Sequence, residues 1–127
     1  MNQLAFIVLP GEYAMCRLSA QSDVPSFPWE SSFCTVSKTP DEVSIICEAS
    51  AVPEGINCNK GWRLLKINAV LDLSLTGITA KFSTALADAG INLCVIATHD
   101  TDYILVKEEK LADAVIALRQ TGFIVEP

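Results

Sequence analysis

Residues 62–90 read WRLLKINAVLDLSLTGITAKFSTALADAG, and a change of period inside this stretch decides the fold. Over 62–70 the pattern alternates: Leu65, Ile67 and Ala69 share one face while Lys66 and Asn68 take the other, as in a half-buried strand. From position 75 the spacing becomes helical, with Leu75, Ile78, Phe82, Ala85, Leu86 and Ala89 on one stripe. Asp72 or Ser74 is placed to cap the helix start, and Gly90 stands where a left-handed residue closes it.

A second strand–helix unit follows. Residues 93–97 form a continuous apolar run that predicts a fully buried strand, 99–102 a polar turn, and 103–106 the hairpin partner. Glu108 and Glu109 suit the positive start of a second helix, whose inward stripe is Leu111, Ala114, Val115 and Leu118. Gly122 ends that helix, and residues 123–125 make a last short strand. The order βαββαβ predicts an α+β, ferredoxin-like module: an antiparallel four-stranded sheet with both helices on one face.

The first half is shorter and less regular. Residues 4–9 and 13–18 read as strands joined at Pro10-Gly11, and 21–32, with Pro25 and Pro28, holds little beyond a short helix. Strands at 33–37 and 43–47 flank the turn 38–42. Shifting the chain by sixty places Cys34 on Cys94, Val36 on Ile96, Glu42 on Asp102 and Ile45 on Leu105, so strand, acidic turn and strand recur. Two related modules are therefore expected: a shorter, degenerate one over 1–60 and a complete one over 61–127.

Bulk composition narrows the partners. Of 127 residues half are hydrophobic and 19% charged, which is the profile of a packed globular chain. The net charge of −6 argues against nucleic acid and anionic membranes, which need clustered Lys and Arg. Residues 1–10 have no basic leader, so their apolar run reads as a strand and not as a signal peptide. Cys16, Cys34, Cys47, Cys58 and Cys94 are odd in number and contain no CxxC pair, so neither a disulfide framework nor a zinc ribbon is indicated. Buried thiols and a cytoplasmic location are expected.

Two places can carry binding chemistry. The start of a helix offers amide donors and partial positive charge, and Gly77 clears space for a carboxylate in the turn Asp72-Leu73-Ser74-Leu75-Thr76-Gly77-Ile78. The alternative is that Gly77 only lets the helix pack tightly. Asp100 and Asp102 lie in the hairpin turn, where they either cap their own backbone or hold a cation. In a ferredoxin-like fold these two places are near each other. His99 has no ligand cluster around it, Ser74 lies in no GxSxG elbow, and Cys34 and Cys94 sit in apolar strands. No enzyme, metal or cofactor is expected.

At these residues the chain resembles the ACT domains, small βαββαβ regulatory modules that bind amino acids. It is similar in particular to short bacterial proteins built as two ACT-like modules, through Leu9-Pro10-Gly11-Glu12-Tyr13, Pro40-Asp41-Glu42-Val43-Ser44-Ile45, Pro53-Glu54-Gly55, the turn from Asp72 to Ile78, and Thr101-Asp102-Tyr103-Ile104-Leu105-Val106-Lys107-Glu108. That group is related to the eukaryotic cytosolic arginine sensors. The resemblance implies that Leu73, Ser74, Leu75 and Gly77 line the carboxylate side of a ligand and that Asp100 or Asp102 holds its cation. ACT loops often place proline before the glycine, where this chain has Thr76.

The expectation is a stand-alone module for an amino acid or similar zwitterion, working as a homodimer. The alternative is a protein–protein interaction module with no ligand. RNA binding through such a fold needs aromatic residues on the central strands, and Tyr103 is the sole candidate.

Overall fold

The computed structural model describes residues 4–72 and 76–127. Eight strands and two helices are found among them: β1 (Ala5–Val8), β2 (Tyr13–Ser19), β3 (Cys34–Lys38), β4 (Glu42–Glu48), β5 (Cys58–Ile67), α1 (Ile78–Asp88), β6 (Leu93–Ala97), β7 (Asp102–Lys107), α2 (Leu111–Gln120) and β8 (Ile124–Glu126). The fold class is α+β. The chain divides into two units, one of Met1–Pro10 with Arg63–Pro127 and one of Gly11–Trp62.

In the first unit the strand order is β6-β7-β5-β1-β8. Both helices cover one face. Phe82 and Leu86 of α1 and Ala114, Ala117 and Leu118 of α2 pack with Phe6, Leu65, Ile67, Ile104, Val106 and Val125 in one core. Phe6 sits at its centre, edge-on to Phe82 at 5.6 Å and to Phe123 at 5.3 Å between ring centroids. This is the expected βαββαβ succession with one strand added.

The added strand corrects two expectations. β1, read from sequence as the first strand of the first module, lies here between β5 and β8. Because β1 runs antiparallel to β5, and β8 has the direction the βαββαβ path gives it, β1 and β8 are parallel. The sheet is therefore mixed and not wholly antiparallel. The physical reason is continuity of pairing: Leu9 N donates to Leu64 O at 2.9 Å, after which Pro10 has no amide to give and Gly11, at φ 91°, turns the chain away.

Other expectations shift locally. β6 is an edge strand of its unit, with Val95 38% exposed, and is not fully buried. A five-residue apolar run does not distinguish an edge from a centre. β5 starts earlier than expected and ends at Ile67, leaving Val70 exposed. Ala89 is exposed at the end of α1.

In the Gly11–Trp62 unit the order is β3-β4-β2-β5, the last represented by the first half of β5. Ala14, Cys16, Val43, Ile45 and Cys47 form its core, closed by Phe27 from a 3-10 turn at Phe27–Glu30. With Pro at its first turn and Pro25 upstream, that segment makes one turn where the other unit has a full helix.

The two hairpins share their turn chemistry. Thr39 N and Oγ1 both donate to Glu42 O, at 3.0 and 3.2 Å, and Thr39 Oγ1 accepts from Glu42 N at 3.1 Å. Thr98 N and Oγ1 donate to Thr101 O at 2.9 and 3.0 Å, and Thr98 Oγ1 accepts from Thr101 N at 3.3 Å. The registers agree at the same offset, Val36 opposite Ile45 and Val95 opposite Ile104, and each second strand leads into a 3-10 turn, Ala49–Ala51 and Glu108–Lys110. The offset is fifty-nine, one less than the sequence comparison suggested, because apolar positions match equally well either way while the threonine bonds match only once.

Candidate binding site at the start of helix α1

The site lies within the unit that contains both helices. Thr101, only 6% exposed, donates from Oγ1 to Ile67 O at 3.0 Å and so pins the β6–β7 turn against the end of β5. The chain leaving β5 returns the tie: Leu71 N donates to Asp100 O at 2.6 Å. Across the same space Thr79, in the first turn of α1, donates from Oγ1 to Asp102 Oδ2 at 3.1 Å. Helix start and acidic turn are therefore joined by a hydrogen bond.

Gly77 occupies the N-cap position of α1 at φ 84° and, as a glycine, brings no side-chain cap of its own. Of the two residues expected to cap the helix start, Ser74 lies outside the described residues, together with Leu73 and Leu75. The space above Gly77 is open, since an added Cβ would meet nothing within 4 Å. Its glycine is required by backbone conformation rather than by crowding. Lys81 N bonds Gly77 O at 2.9 Å, so the amides of the turn before it point out of the helix end.

Burial sorts the predicted residues. Asp72, Thr76 and Gly77 are exposed, while Ile78 packs on the core. Asp100 faces solvent, its Oδ1 3.0 Å from His99 Nδ1, with side chains 66% and 88% exposed. Such a pair adds little stability. Asp102 is half-buried and directed at α1. Its carboxylate accepts from Thr79 in the first turn of α1, where the helix dipole favours negative charge. Thr79 and Thr101 were missed from sequence. The Thr-x-Asp spacing shared by residues 39–41 and 98–100 marks the turn that Thr101 closes, while nothing in the sequence marks Thr79.

Among the described residues the arrangement offers amide donors, threonine hydroxyls and carboxylate acceptors. The cysteine nearest in sequence, Cys94, lies in β6 with its thiol pushed up by burial. Among the described residues no three His, Cys, Asp or Glu side chains converge to hold a metal ion.

A model of the ACT domain matches residues 57–120, just over half of the chain. The chain belongs to the ACT-domain family. A second family model, described only as an N-terminal domain, covers residues 11–55 of this ACT-domain protein. Among solved structures, a protein from Agobacterium tumefaciens is 27% identical with a TM-score of 0.91, covering 98% of this chain and 93% of its own. A Vibrio cholerae protein of unknown function, described as a possible transport protein, is 25% identical with a TM-score of 0.76, covering 94% and 90%. The ligand-free regulatory subunit of aspartate kinase from Thermus thermophilus shares 14% identity and a TM-score of 0.59 over 87% of this chain and 91% of its own, a likeness of fold. No curated protein matches this ACT-domain protein.

Proposed function

We propose that this ACT-domain protein is a non-catalytic, cytosolic regulatory module that binds an amino acid or similar zwitterion as a homodimer. The ligand carboxylate faces the amides of the α1 start, lined by residues 72–78, and its cation faces Asp102 with Asp100 beside it. The observation that carries this reading is the pair of bonds Leu71 N–Asp100 O and Thr79 Oγ1–Asp102 Oδ2, which join helix start and acidic turn. The fold shared with a regulatory subunit supports the regulatory part. We read Gly11–Trp62 as a shortened copy of the same module, on the strength of the matching hairpin turns.

Magnitudes require a second copy. Micromolar affinity corresponds to about −8 kcal/mol, and an exposed helix terminus supplies only about 0.3–1 kcal/mol. With Thr76, Gly77 and Asp100 exposed, the ligand is enclosed only when another subunit covers it. Arginine is the first ligand to try, because its guanidinium pairs with a carboxylate through two hydrogen bonds.

Titration calorimetry against the twenty amino acids is the test. One or a few give heat, Asp102→Asn weakens them at least about tenfold, and Gly77→Glu abolishes them, while Asp113→Asn on α2 changes nothing. No heat from any amino acid sinks the proposal. A ligand-free interaction module is then the surviving reading. Charged substitutions on the β6 edge would in that case disrupt partner capture.

A further inference from the structure

The Gly11–Trp62 unit holds four of the five cysteines, and they are arranged in opposed pairs. Cys34 on β3 stands opposite Cys47 on β4, and Cys16 on β2 stands opposite Cys58 on β5. All four belong to one apolar cluster and all are free thiols. Cys94, by contrast, faces Leu105 across its ladder.

Directly opposed residues of an antiparallel pair have Cα atoms about 4.5–5.5 Å apart, inside the span a disulfide bridges. The Cys16–Cys58 pair is the better placed. Arg17 N donates to Asn57 O at 2.9 Å, so the ladder bond belongs to the neighbouring pair. Cys16 and Cys58 therefore occupy a non-hydrogen-bonded position, where opposed side chains approach most closely. The Cys58 sulfur is near enough to Cys16 to raise its thiol.

Access differs between the two. Cys16 is 2% exposed and Cys58 is half-buried. Burial, then the neighbouring Cys47 and Cys58 sulfurs, push the Cys16 thiol up to about 12. Cys58 is thus the sulfur that meets an oxidant, and Cys16 is the one that closes the bond.

We propose that Cys16 and Cys58 form a reversible thiol–disulfide modification site, oxidised by a low-molecular-weight disulfide of the glutathione type. The Cys58 thiolate attacks one sulfur of the oxidant and expels a thiolate, leaving a mixed disulfide on Cys58. Cys16 passes its proton to a thiolate in solution and displaces the second oxidant half, forming Cys16–Cys58. Two protein S–H bonds and one oxidant S–S bond become one protein S–S bond and two small thiols, with two electrons passing to the oxidant. The bond staples β2 to β5 and closes residues 17–57 into a loop.

The test uses the full chain, incubated with oxidised glutathione, alkylated, digested without reduction and mapped by mass. The expected product is one crosslinked peptide pair holding Cys16 and Cys58, with Cys94 alkylated and the link removed by dithiothreitol. Cys16→Ser should stop at a glutathione adduct on Cys58, and Cys58→Ser should leave Cys16 reduced. Recovery of both thiols free from oxidant-treated wild type, or a link confined to Cys34 and Cys47, overturns the proposal. The wild-type map decides the matter even where a serine variant fails to fold.

Discussion

Single residues set how firmly the loops are held, and Glu48 shows this at the end of β4. Its Oε1 accepts from Ser32 Oγ and Ser32 N, both at 2.7 Å, and from Ser31 Oγ at 3.1 Å. The Ser32 hydroxyl first, then the Ser32 amide, hold its carboxyl below the usual value of 4.5; burial opposes them, and the Ser31 hydroxyl adds a lesser lowering. A carboxylate depressed in the folded state adds stability that is complete above pH 4.5 and is lost as pH falls through the lower folded value. Glu48→Gln should therefore lower the urea midpoint at pH 7 by an amount worth about 1 kcal/mol or less, and the difference should vanish in strong acid. A gap between the two proteins that persists at the acid end would contradict the assignment. At this scale the place of Gly77 at the entry to α1 was legible from residue type and spacing. The Ser31–Ser32 clamp was not, since serine pairs in a loop carry no address for a carboxylate sixteen residues away.

At the scale of elements, the hairpin turns are the most informative comparison. Thr98 makes three bonds to Thr101, and Thr39 makes the same three to Glu42. Thr98→Val keeps shape and removes the hydroxyl, so a loss of about 1 kcal/mol is expected in chemical unfolding. Thr39→Val should cost a similar amount, and Thr→Ser at either place should restore most of it. A neutral Thr98→Val would show that the turn is held by register alone. Helices α1 and α2 were legible because a 3.6-residue stripe leaves few alternatives: Phe82, Leu86, Ala114 and Leu118 are all fully buried as read. Strand placement was less so. Alternation or an apolar run says that a strand exists, but not which neighbour its backbone will pair with, and β1 and β6 both illustrate the difference.

The whole molecule is built around a unit that is discontinuous in sequence. Phe6 belongs to the core formed by α1, α2 and β5, although more than fifty residues separate it from Arg63, where the rest of that unit begins. Residues 61–127 alone carry the complete βαββαβ pattern, yet they lack the strand between β5 and β8 and the ring that meets Phe82 and Phe123. Losing a buried Phe costs about 3–5 kcal/mol, a large share of a small unit's stability. Residues 61–127 expressed alone should therefore show poorly dispersed amide resonances, and adding a peptide of residues 1–10 should sharpen them. A well-dispersed spectrum from the fragment alone would mean that β1 is dispensable.

The placement of β1 also orders events during synthesis. Of the described strands it is the first in chain order, and β8, one of its two partners, is the last. Gly11–Trp62 can emerge in full before either neighbour of β1 is available, since the pairing half of β5 begins only at Arg63. At about 5–20 residues per second, six apolar side chains from Leu4 to Leu9 wait several seconds in the open. Until β8 has emerged, β1 cannot complete its pairing, so the burial of these side chains waits on strands far along the chain.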